Sequence, residues 1–315
     1  MAFRAFGRLL IVVFSLMTAS CMTRPDLPAE RIIADAHVAG SRVALDHRGR
    51  RLASAGLDGR LVLWDVASGR RLGGWKAHDS TVHGLAFYGA DRLVSAGWDG
   101  RVVIWDLQGR VVAERATDRP ITAMAFRARP FELWTGHDDG SLRRWDRTLD
   151  LKVLLRLPEE RRVTALALDR ERLAAADSGG AVWLVEAEEM ARLARLPTHL
   201  RTLVFDDRGR LYGGTWFKLY RWDLETGAQQ AFATDHFGII KDLVWDSSRR
   251  LLLSISRQTD STVLALDPNN GATLTRFGRH ELCGADVALS GDGRHMATTA
   301  DDGSVRLWLL PERLP

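Results

Sequence analysis

The sequence contains little cysteine and little lysine. Two of its 315 residues are cysteine, Cys21 and Cys283. Only four of the 44 basic residues are lysine, and the arginines are scattered along the chain, mostly in pairs. Scattered arginines indicate solvated turns and strand edges, whereas a nucleic-acid-binding protein concentrates its basic residues in one stripe or patch. We therefore expect no nucleic-acid partner.

Helical periodicity and catalytic signatures are also scarce. After the first 21 residues, only VEAEEMARLARL at residues 185–196 departs from short strand-like runs, and it predicts either a long strand connection or a short helical insert. The sequence contains no Cys-x-x-Cys-His, no glycine-rich phosphate loop ending in Gly-Lys-Ser or Gly-Lys-Thr, and no His-Glu-x-x-His. We therefore expect no enzyme activity, no metal and no cofactor.

The first 21 residues differ from the rest of the chain. Arg4 and Arg8 precede an apolar run from Leu9 to Met17 and then small residues before Cys21, which is typical of a secretory signal. The apolar run is too short to span a bilayer, which needs about 20 residues. The segment TASC that ends at the cysteine resembles the lipobox of bacterial lipoproteins, although Thr18 stands where that family usually has leucine.

This resemblance implies a signal peptide over residues 1–20, an acylated Cys21 at the mature N-terminus and a lipidated tether over residues 21–29. An ordinary cleaved signal and a retained anchor are the alternatives. Met22 stands where an aspartate commonly favours retention in the inner membrane. The expected location is therefore the periplasmic side of the cell envelope, at the outer membrane in preference to the inner. A lipidated first cysteine would leave Cys283 without a disulfide partner in the chain.

The most informative feature of the chain is an internal repeat. SAGLDGRLVLWD at residues 54–65 recurs as SAGWDGRVVIWD at residues 95–106. Seven copies of the Trp-Asp position, some of them degenerate, follow one another at spacings of 37 to 44 residues. A fixed period of this length is typical of solenoids and propellers. Each unit contains four short apolar runs separated by turn residues such as Asp-Gly, which predicts four antiparallel strands per unit.

These repeats resemble the WD40 (WD-repeat) family of β-propellers over residues 30–315. The resemblance implies an all-β fold, a seven-bladed WD40-type propeller. It also implies that an N-terminal strand within ERIIADA, residues 30–36, completes the last blade. Such a strand closes the ring and covers two sheet edges that would otherwise be open to pairing.

The WD40 family places a hydrogen-bonded set of four side chains in each blade: a histidine, a serine or threonine, an aspartate and the tryptophan. The sequence matches this set in units one, two and seven, and in part in unit three, through His37, Ser54, Asp58 and Trp64; His78, Ser95, Asp99 and Trp105; His280, Thr298, Asp302 and Trp308; and Thr135, Asp139 and Trp145. Asp118 replaces the histidine of unit three, Gly179 and Val185 replace the aspartate and tryptophan of unit four, and Ala265 replaces the tryptophan of unit six. Recurrence of the set in unit after unit favours a structural role over a catalytic one.

Two short motifs could suggest other chemistry. ADSGG at residues 176–180 is similar to the sequence around the nucleophile of trypsin-like proteases, and GHDDG at residues 136–140 could suggest a metal site. Both motifs fall in the register of the Asp-Gly turn of their repeat. We therefore interpret both as hairpin turns.

In the WD40 family, partners commonly contact the face that carries these turns. Alignment of the innermost strands and of the turns places six candidate partner-binding residues on this face: Trp98, His83, Arg201, Lys241, Asp138 and Asp301. An exposed aromatic residue in a turn is of the type enriched at binding hot spots. We hypothesise a partner site at Trp98 and His83 with a basic sector at Arg201 and Lys241. Ordinary solvated surface residues are the alternative.

Together these features predict a non-enzymatic protein–protein interaction scaffold that is lipid-anchored in the bacterial envelope. Its expected partners are other envelope proteins and, through the N-terminal lipid, the membrane, and the expected state is a monomeric propeller within a complex. Assembly of an envelope or respiratory complex is a special case of this role. A propeller enzyme or a redox-associated propeller that binds a cofactor is the alternative, and the intact mass and absorption spectrum of the purified protein would distinguish the two.

Overall fold

The computed structural model describes residues 26–314, with the exception of residues 171 and 259. Within this part of the chain there are 28 β-strands and no helix, and the strands form seven four-stranded sheets. The expected all-β, seven-bladed propeller is therefore confirmed. The expected signal peptide and Cys21 lie outside the described residues.

Six blades use four consecutive strands, and the seventh combines the two ends of the described chain. From the innermost to the outermost strand, the blades are: one, β2 (Gly40–Leu45), β3 (Arg51–Gly56), β4 (Arg60–Asp65) and β5 (Arg71–Lys76); two, β6 (Val82–Tyr88), β7 (Arg92–Gly97), β8 (Arg101–Asp106) and β9 (Val111–Ala116); three, β10 (Ile121–Arg127), β11 (Glu132–His137), β12 (Ser141–Trp145) and β13 (Leu151–Arg156); four, β14 (Val163–Asp169), β15 (Arg172–Asp177), β16 (Ala181–Glu186) and β17 (Glu189–Arg195); five, β18 (Thr202–Phe205), β19 (Leu211–Gly214), β20 (Lys218–Trp222) and β21 (Gln229–Ala233); six, β22 (Ile239–Asp246), β23 (Leu251–Arg257), β24 (Val263–Leu266) and β25 (Thr273–Phe277); and seven, β26 (Gly284–Leu289), β27 (His295–Ala300), β28 (Val305–Leu309) and β1 (Arg31–Ile33).

The strands within a blade are antiparallel, so the chain meets the same two ends of the ring in every repeat. We call the end that carries the turns between second and third strands and the connections between blades the upper face, and the opposite end the lower face. The Asp-Gly turns of the repeat lie on the upper face. In the first of them Gly59 has a φ of 80°, and a Cβ at this position would lie 2.0 Å from the carbonyl oxygen of His78. Only glycine combines this backbone conformation with so close an approach.

The apolar cores lie between blades and not within them. Seven clusters of buried residues are present, and each one combines side chains from two neighbouring blades. The middle strands are almost completely buried, whereas outer strands such as β5 and β9 are largely exposed. A blade therefore buries its two faces only by packing against both neighbours.

The ring is closed by the N-terminal strand, as expected from the sequence. Arg31 pairs with Leu307 and Ile33 pairs with Val305, so β1 becomes the outer strand of blade seven. Its ladder covers three residues of the seven in the predicted segment. The contact of the N-terminal segment with the ring begins earlier, because the backbone of Leu27 bonds to Arg276 and Gly278 at the end of blade six.

The expected set of four side chains forms most completely in blade two. The Trp105 indole N–H donates to Ser95 Oγ (2.8 Å), which lies 2.7 Å from His78 Nε2, while His78 Nδ1 lies 2.9 Å from Asp99. Every atom is satisfied when the serine donates to Nε2 and Nδ1–H donates to the carboxylate. Blade one repeats the contacts of Trp64 and His37 with Ser54, each at 2.8 Å. Burial lowers the pKa of His37 to about 4, so this ring is neutral at pH 7.

Blades three and four satisfy the tryptophan in other ways. In blade three Trp145 donates to Thr135 (2.9 Å), and His137 takes the histidine position at 2.9 Å from the same hydroxyl. The substituting Asp118 is exposed and pairs with Arg143. Asp139 caps its own turn by accepting from the backbone N–H and hydroxyl of Ser141.

Blade four keeps both a turn aspartate and a tryptophan, each two residues before the position that the repeat predicts. Asp177 accepts from the backbone N–H groups of Gly179 and Ala181 and from the Trp183 indole at 3.0 Å. The sequence analysis aligned this repeat correctly and took Gly179 and Val185 to stand in place of the aspartate and the tryptophan. It missed Asp177 and Trp183, which supply these two side chains from two residues earlier.

Blades six and seven also differ from the expectation. Blade six contains an unpredicted set, in which His236 lies 2.8 Å from Ser254 and contacts Asp260 through its other ring nitrogen at 3.3 Å. In blade seven His280 contacts Thr298 (2.7 Å) and Asp302 (3.1 Å) as predicted. The inclusion of Trp308 in that set was wrong, because its indole donates to the carbonyl oxygen of Leu27 at 3.2 Å.

Residues 185–196 form strands, so the alternative of a helical insert was wrong. Glu186 at the end of β16 pairs with Glu189 at the start of β17, and the two-residue turn between them has positive φ at Ala187 (48°) and Glu188 (68°). This segment is rich in residues that favour helices. Pairing with the exposed edge of β16 outweighs that preference, because helix propensity amounts to less than about 1 kcal/mol per residue.

The closing strand provides a direct test of ring closure. Ile33 packs into the cluster shared by blades seven and one, whereas the neighbouring Ile32 is 56% exposed. We expect Ile33→Asp to lower the free energy of unfolding by about 1–3 kcal/mol, because it places a charge in an apolar contact. The matched Ile32→Asp should change it by less than about 0.5 kcal/mol. Equal effects of the two substitutions in chemical denaturation would contradict the closure.

The hydroxyl at the centre of the blade-two set provides a second test. Ser95→Ala leaves the Trp105 indole and a histidine nitrogen buried without a partner, so we expect a loss of about 1–3 kcal/mol in the free energy of unfolding. Ser68 is exposed and bonds only within its own turn. Ser68→Ala is therefore the control, with an expected change below about 0.5 kcal/mol. The comparison is made by chemical denaturation, and a Ser95→Ala protein as stable as the control would show that the set carries no stability.

Candidate functional site

Six of the seven innermost strands carry a β-bulge near their upper ends, and β18 is the exception. In β6 the pairing shifts between Val82 and Gly84, so His83 is an extra residue without a partner across the ladder, and in β22 the same shift leaves Lys241 as the extra residue. Arg201 occupies the equivalent position directly before β18. A bulge turns a side chain away from the regular alternation of the strand. The three residues predicted from the inner-strand alignment therefore occupy equivalent positions at the upper end of the ring.

A central channel runs along the innermost strands and has a volume of about 1120 Å³. Its upper part is lined by polar and charged side chains, including Arg42, Asp242 and Asp286. Below them the lining is largely apolar, with Phe87 and Phe126 among its members. Charged residues of the lower turns, among them Arg48, Arg50 and Arg129, line the opposite end, so the charges lie at the two ends of the channel with apolar residues between them.

Three of these charged residues form a belt that joins the innermost strands of neighbouring blades. The guanidinium of Arg42 pairs with Asp286 of blade seven and donates through Nε to the carbonyl oxygen of His83 in blade two (2.8 Å). Asp286 also accepts from the backbone N–H of Val43 at 2.9 Å. One arginine–carboxylate pair thus connects blades seven, one and two.

Asp242 extends this belt to blades five and six. It accepts from the hydroxyl of Thr202 in blade five (2.9 Å) and from the backbone N–H of Val287 in blade seven (3.3 Å). Burial and the negative charge of Asp286 raise the pKa of Asp242. Asp242 therefore compensates the nearby cations less completely than an ordinary carboxylate would. We refer to Arg42, Thr202, Asp242 and Asp286 as the inner belt.

Lys241 and Arg201 add positive charge beside the inner belt. Among the described residues, neither side chain forms an ion pair, whereas Arg42 and Arg257 each pair with an aspartate. Burial, followed by the positive charge of Arg42, lowers the pKa of Lys241 to about 8. Burial and the charge of Arg162 likewise lower the pKa of Arg201. The mouth therefore holds cations that repel one another.

His83 lies between this basic sector and the aromatic residue of blade two. Its ring centroid is 5.7 Å from that of Trp98, and the two ring planes are tilted by 50°. Burial, followed by the charges of Arg42 and Lys241, lowers the pKa of His83 to about 3, so the ring is neutral at pH 7. Trp98 is 39% exposed. The structure therefore brings the predicted pair together at the edge of the channel mouth.

The two predicted acidic residues lie on the same face but serve other contacts. Asp301 accepts two hydrogen bonds from the guanidinium of Arg257, at 2.7 and 3.2 Å, so its charge is already paired. Asp138 lies in the turn of blade three, and its buried Oδ1 has no hydrogen-bond partner within the described part of the chain. Among the described residues, neither Asp138 nor Asp301 forms a hydrogen bond or an ion pair with the inner belt.

The inner belt is the feature that inspection of the sequence missed. Arg42, Asp242 and Asp286 each directly precede the apolar triplet that marks an innermost strand. A charged residue at this place is unusual for a buried strand and could have served as the signal. Their mutual contacts could not be foreseen, because 244 positions separate the arginine from its carboxylate partner.

Exposed apolar side chains are distributed unequally over the surface. Among the described residues, large exposed apolar side chains occur on the upper face, on the outer strands and at the end of β28, and none lies in the turns of the lower face. The members on the upper face are Val38, Leu57, Trp98, Trp216, Phe217, Phe237 and Leu282. They belong to five consecutive blades of the ring, from blade five through blades six, seven and one to blade two. We call those of blades seven, one and two the first apolar arc, and those of blades five and six the second apolar arc.

Two further properties bear on function. Outside the undescribed residues, no group of three or more histidine, cysteine, aspartate or glutamate side chains could hold a metal ion. No helix long and apolar enough to cross a membrane occurs in the described ranges.

Comparison with known families agrees with the geometry of the blades. The family model described as WD domain, G-beta repeat matches residues 33–65, 69–106 and 273–308. These segments cover blade one, the three inner strands of blade two, and the chain from the outer strand of blade six through β28 of blade seven. Blades one, two and seven contain the histidine, hydroxyl and aspartate side chains that the sequence analysis identified. The four remaining blades retain the strand order and the central channel although their buried sets differ. The chain is therefore a seven-bladed β-propeller that contains WD40 repeats.

Proposed function

We propose that this protein is a non-enzymatic interaction scaffold that binds a protein partner on its upper face. The observation that supports the proposal most directly is the unequal distribution of exposed apolar side chains. Exposed aromatic and aliphatic residues lie on the upper face of five consecutive blades and are absent from the described turns of the other face. Contiguous exposed apolar surface is typical of protein-interaction sites, and aromatic residues are enriched among the residues that contribute most to binding.

The buried sets support a scaffold and not a hydrolase. Ser95, the most complete candidate nucleophile, has no exposed surface and receives the Trp105 indole hydrogen bond. A nucleophile has to reach a substrate, together with a base and donors for the developing oxyanion. The hydroxyl of each complete set is instead used to satisfy buried nitrogen atoms.

Lipid anchoring through Cys21 is part of the proposal and is supported by the sequence of the N-terminal segment. Leu27 is bonded to the ring, and six residues lie between it and Cys21 when Leu27 is counted. A chain of six residues extends over at most about 20 Å. A lipidated Cys21 would therefore hold the propeller close to the bilayer, by its rim at blades six and seven. The expected partners are envelope proteins at that membrane.

The partner face can be tested with a double substitution. Trp98→Ala combined with Phe237→Ala removes one aromatic side chain from each apolar arc. We expect capture of the native partner by affinity purification, after crosslinking in cells, to fall at least tenfold, because aromatic anchors contribute about 2 kcal/mol or more each at binding hot spots.

The matched control removes two exposed apolar side chains from the outer strands, through Leu151→Ala and Leu274→Ala. Both residues are exposed to a similar extent as Trp98. Their loss should leave capture unchanged. Equal capture by the upper-face variant and by the unmodified protein would contradict the proposed face.

The anchor can be tested by mass spectrometry of the protein purified from membranes. We expect a mature chain that begins at Cys21 and carries acyl groups. Cys21→Ser should abolish acylation and leave the precursor unprocessed. A mature N-terminus at any other residue would contradict lipid anchoring and would leave the upper-face site unaffected.

A further inference from the structure

The upper mouth of the channel contains more cationic groups than carboxylates. Arg42 is paired with Asp286, whereas Lys241 and Arg201 form no ion pair with any described residue. Asp242 is the remaining carboxylate, and its hydrogen bonds go to Thr202 and to the backbone of Val287. The inner belt therefore satisfies its own members, while Lys241 feels the charges of Asp242 and Asp286 without pairing with either, and Arg201 has no ion pair among the described residues.

Lys241 and Arg201, which form no ion pair among the described residues, are enclosed and not extended into solvent. Lys241 lies in the innermost strand β22 and Arg201 directly before the innermost strand β18, and both are half-buried. His83, Arg201 and Lys241 occupy equivalent positions at the upper ends of the innermost strands of blades two, five and six, so the two cations face the same end of the channel. Enclosing a cation without a counter-charge is unfavourable, so an anionic group at this mouth would be strongly stabilised.

The apolar arcs indicate what carries the anionic group. Leu57 and Val38 are adjacent across the junction of blades seven and one, because the backbone N–H of Leu57 bonds to Ala39. In the second apolar arc, the backbone N–H of Phe217 donates to the carbonyl oxygen of Gly238, beside Phe237. A free inorganic anion would leave both arcs exposed to water. A polypeptide can bury apolar side chains on the arcs while an acidic side chain enters the mouth at Arg201 and Lys241, which belong to the same two blades as the second apolar arc.

We propose that the mouth formed by Lys241 and Arg201 receives aspartate or glutamate side chains from a segment of the partner protein whose flanking apolar residues pack on the two arcs. This inference rests on the proposed function and identifies the chemistry of the partner segment. Arg42 positions the mouth through its contacts with blades seven and two, and it remains paired with Asp286. The contact is a charge-assisted one, which is stronger than a neutral hydrogen bond.

A selection from random peptides tests this inference without knowledge of the partner. Twelve-residue peptides displayed on phage are selected against the purified full chain in nonionic detergent. We expect the selected peptides to be enriched in aspartate and glutamate between apolar residues. Binding of the synthesised peptides should weaken when salt is raised from low to high concentration, because salt screens charge pairs. It should fall at least tenfold in a chain with Lys241→Met and Arg201→Met.

The control variant carries Arg170→Met and Arg208→Met. These arginines are exposed in turns of the lower face and form no ion pair within the described residues. The control has the same change in net charge as the mouth variant, so it separates a local contact from a general effect of charge. Its affinity for the peptides should equal that of the unmodified chain.

Three results would overturn the inference: selected peptides without acidic enrichment, acidic peptides that bind the mouth variant as tightly as the unmodified chain, or equal losses in the mouth and control variants. Failure of the scaffold itself is distinguishable. If the native partner is lost on removal of Trp98 and Phe237 but retained by the mouth variant, the upper face is the docking surface and the acidic segment is wrong.

Discussion

No blade of this protein has a core of its own, and this constraint governs the rest of the structure. Each of the seven apolar clusters combines residues from two neighbouring blades. An open ring would leave two blade faces uncovered, so stability depends on closing the circle. The N-terminal segment meets this need twice, through the pairing of β1 with β28 and through the hydrogen bond from Trp308 to Leu27. The second contact explains why the tryptophan of blade seven does not join its own hydroxyl.

The buried sets show that the fold requires satisfied donors and not particular residues. In blade two the tryptophan bonds to a serine, in blade four to an aspartate, in blade five to Gln229 and in blade seven to a backbone carbonyl. A buried indole N–H needs an acceptor, and several neighbouring positions can supply one. Sequence comparison between repeats assumes one position for each role. It found the set of blade two, the set of blade one without the expected bond from His37 to Asp58, and the set of blade seven without its tryptophan, and it missed His137, Asp177 and His236.

The fold and the outline of the site were predictable because they depend on local features. The Asp-Gly turns and apolar alternation fix the strands, and the repeat period fixes the number of blades. The same alignment placed His83, Lys241 and Arg201 at one end of the channel, where β-bulges separate the first two from their ladders. The inner belt was not predictable, because Arg42 meets Asp286 only after the ring has closed. Alignment of repeats reports equivalent positions, but it does not report which of them carry opposite charges and touch.

Closure and the proposed binding mouth are physically connected. Blades seven and one are neighbours in the ring although they lie at opposite ends of the chain, and the pair of Arg42 with Asp286 crosses their junction. The same arginine bonds to the backbone of His83, the bulge residue that contacts Trp98. If the junction opened, Arg42 would lose its carboxylate and would become a third cation without an ion pair at the mouth. The charge that a partner meets at the upper face therefore depends on the closed junction of blades seven and one. The contact that completes the ring also sets the electrostatics of the site.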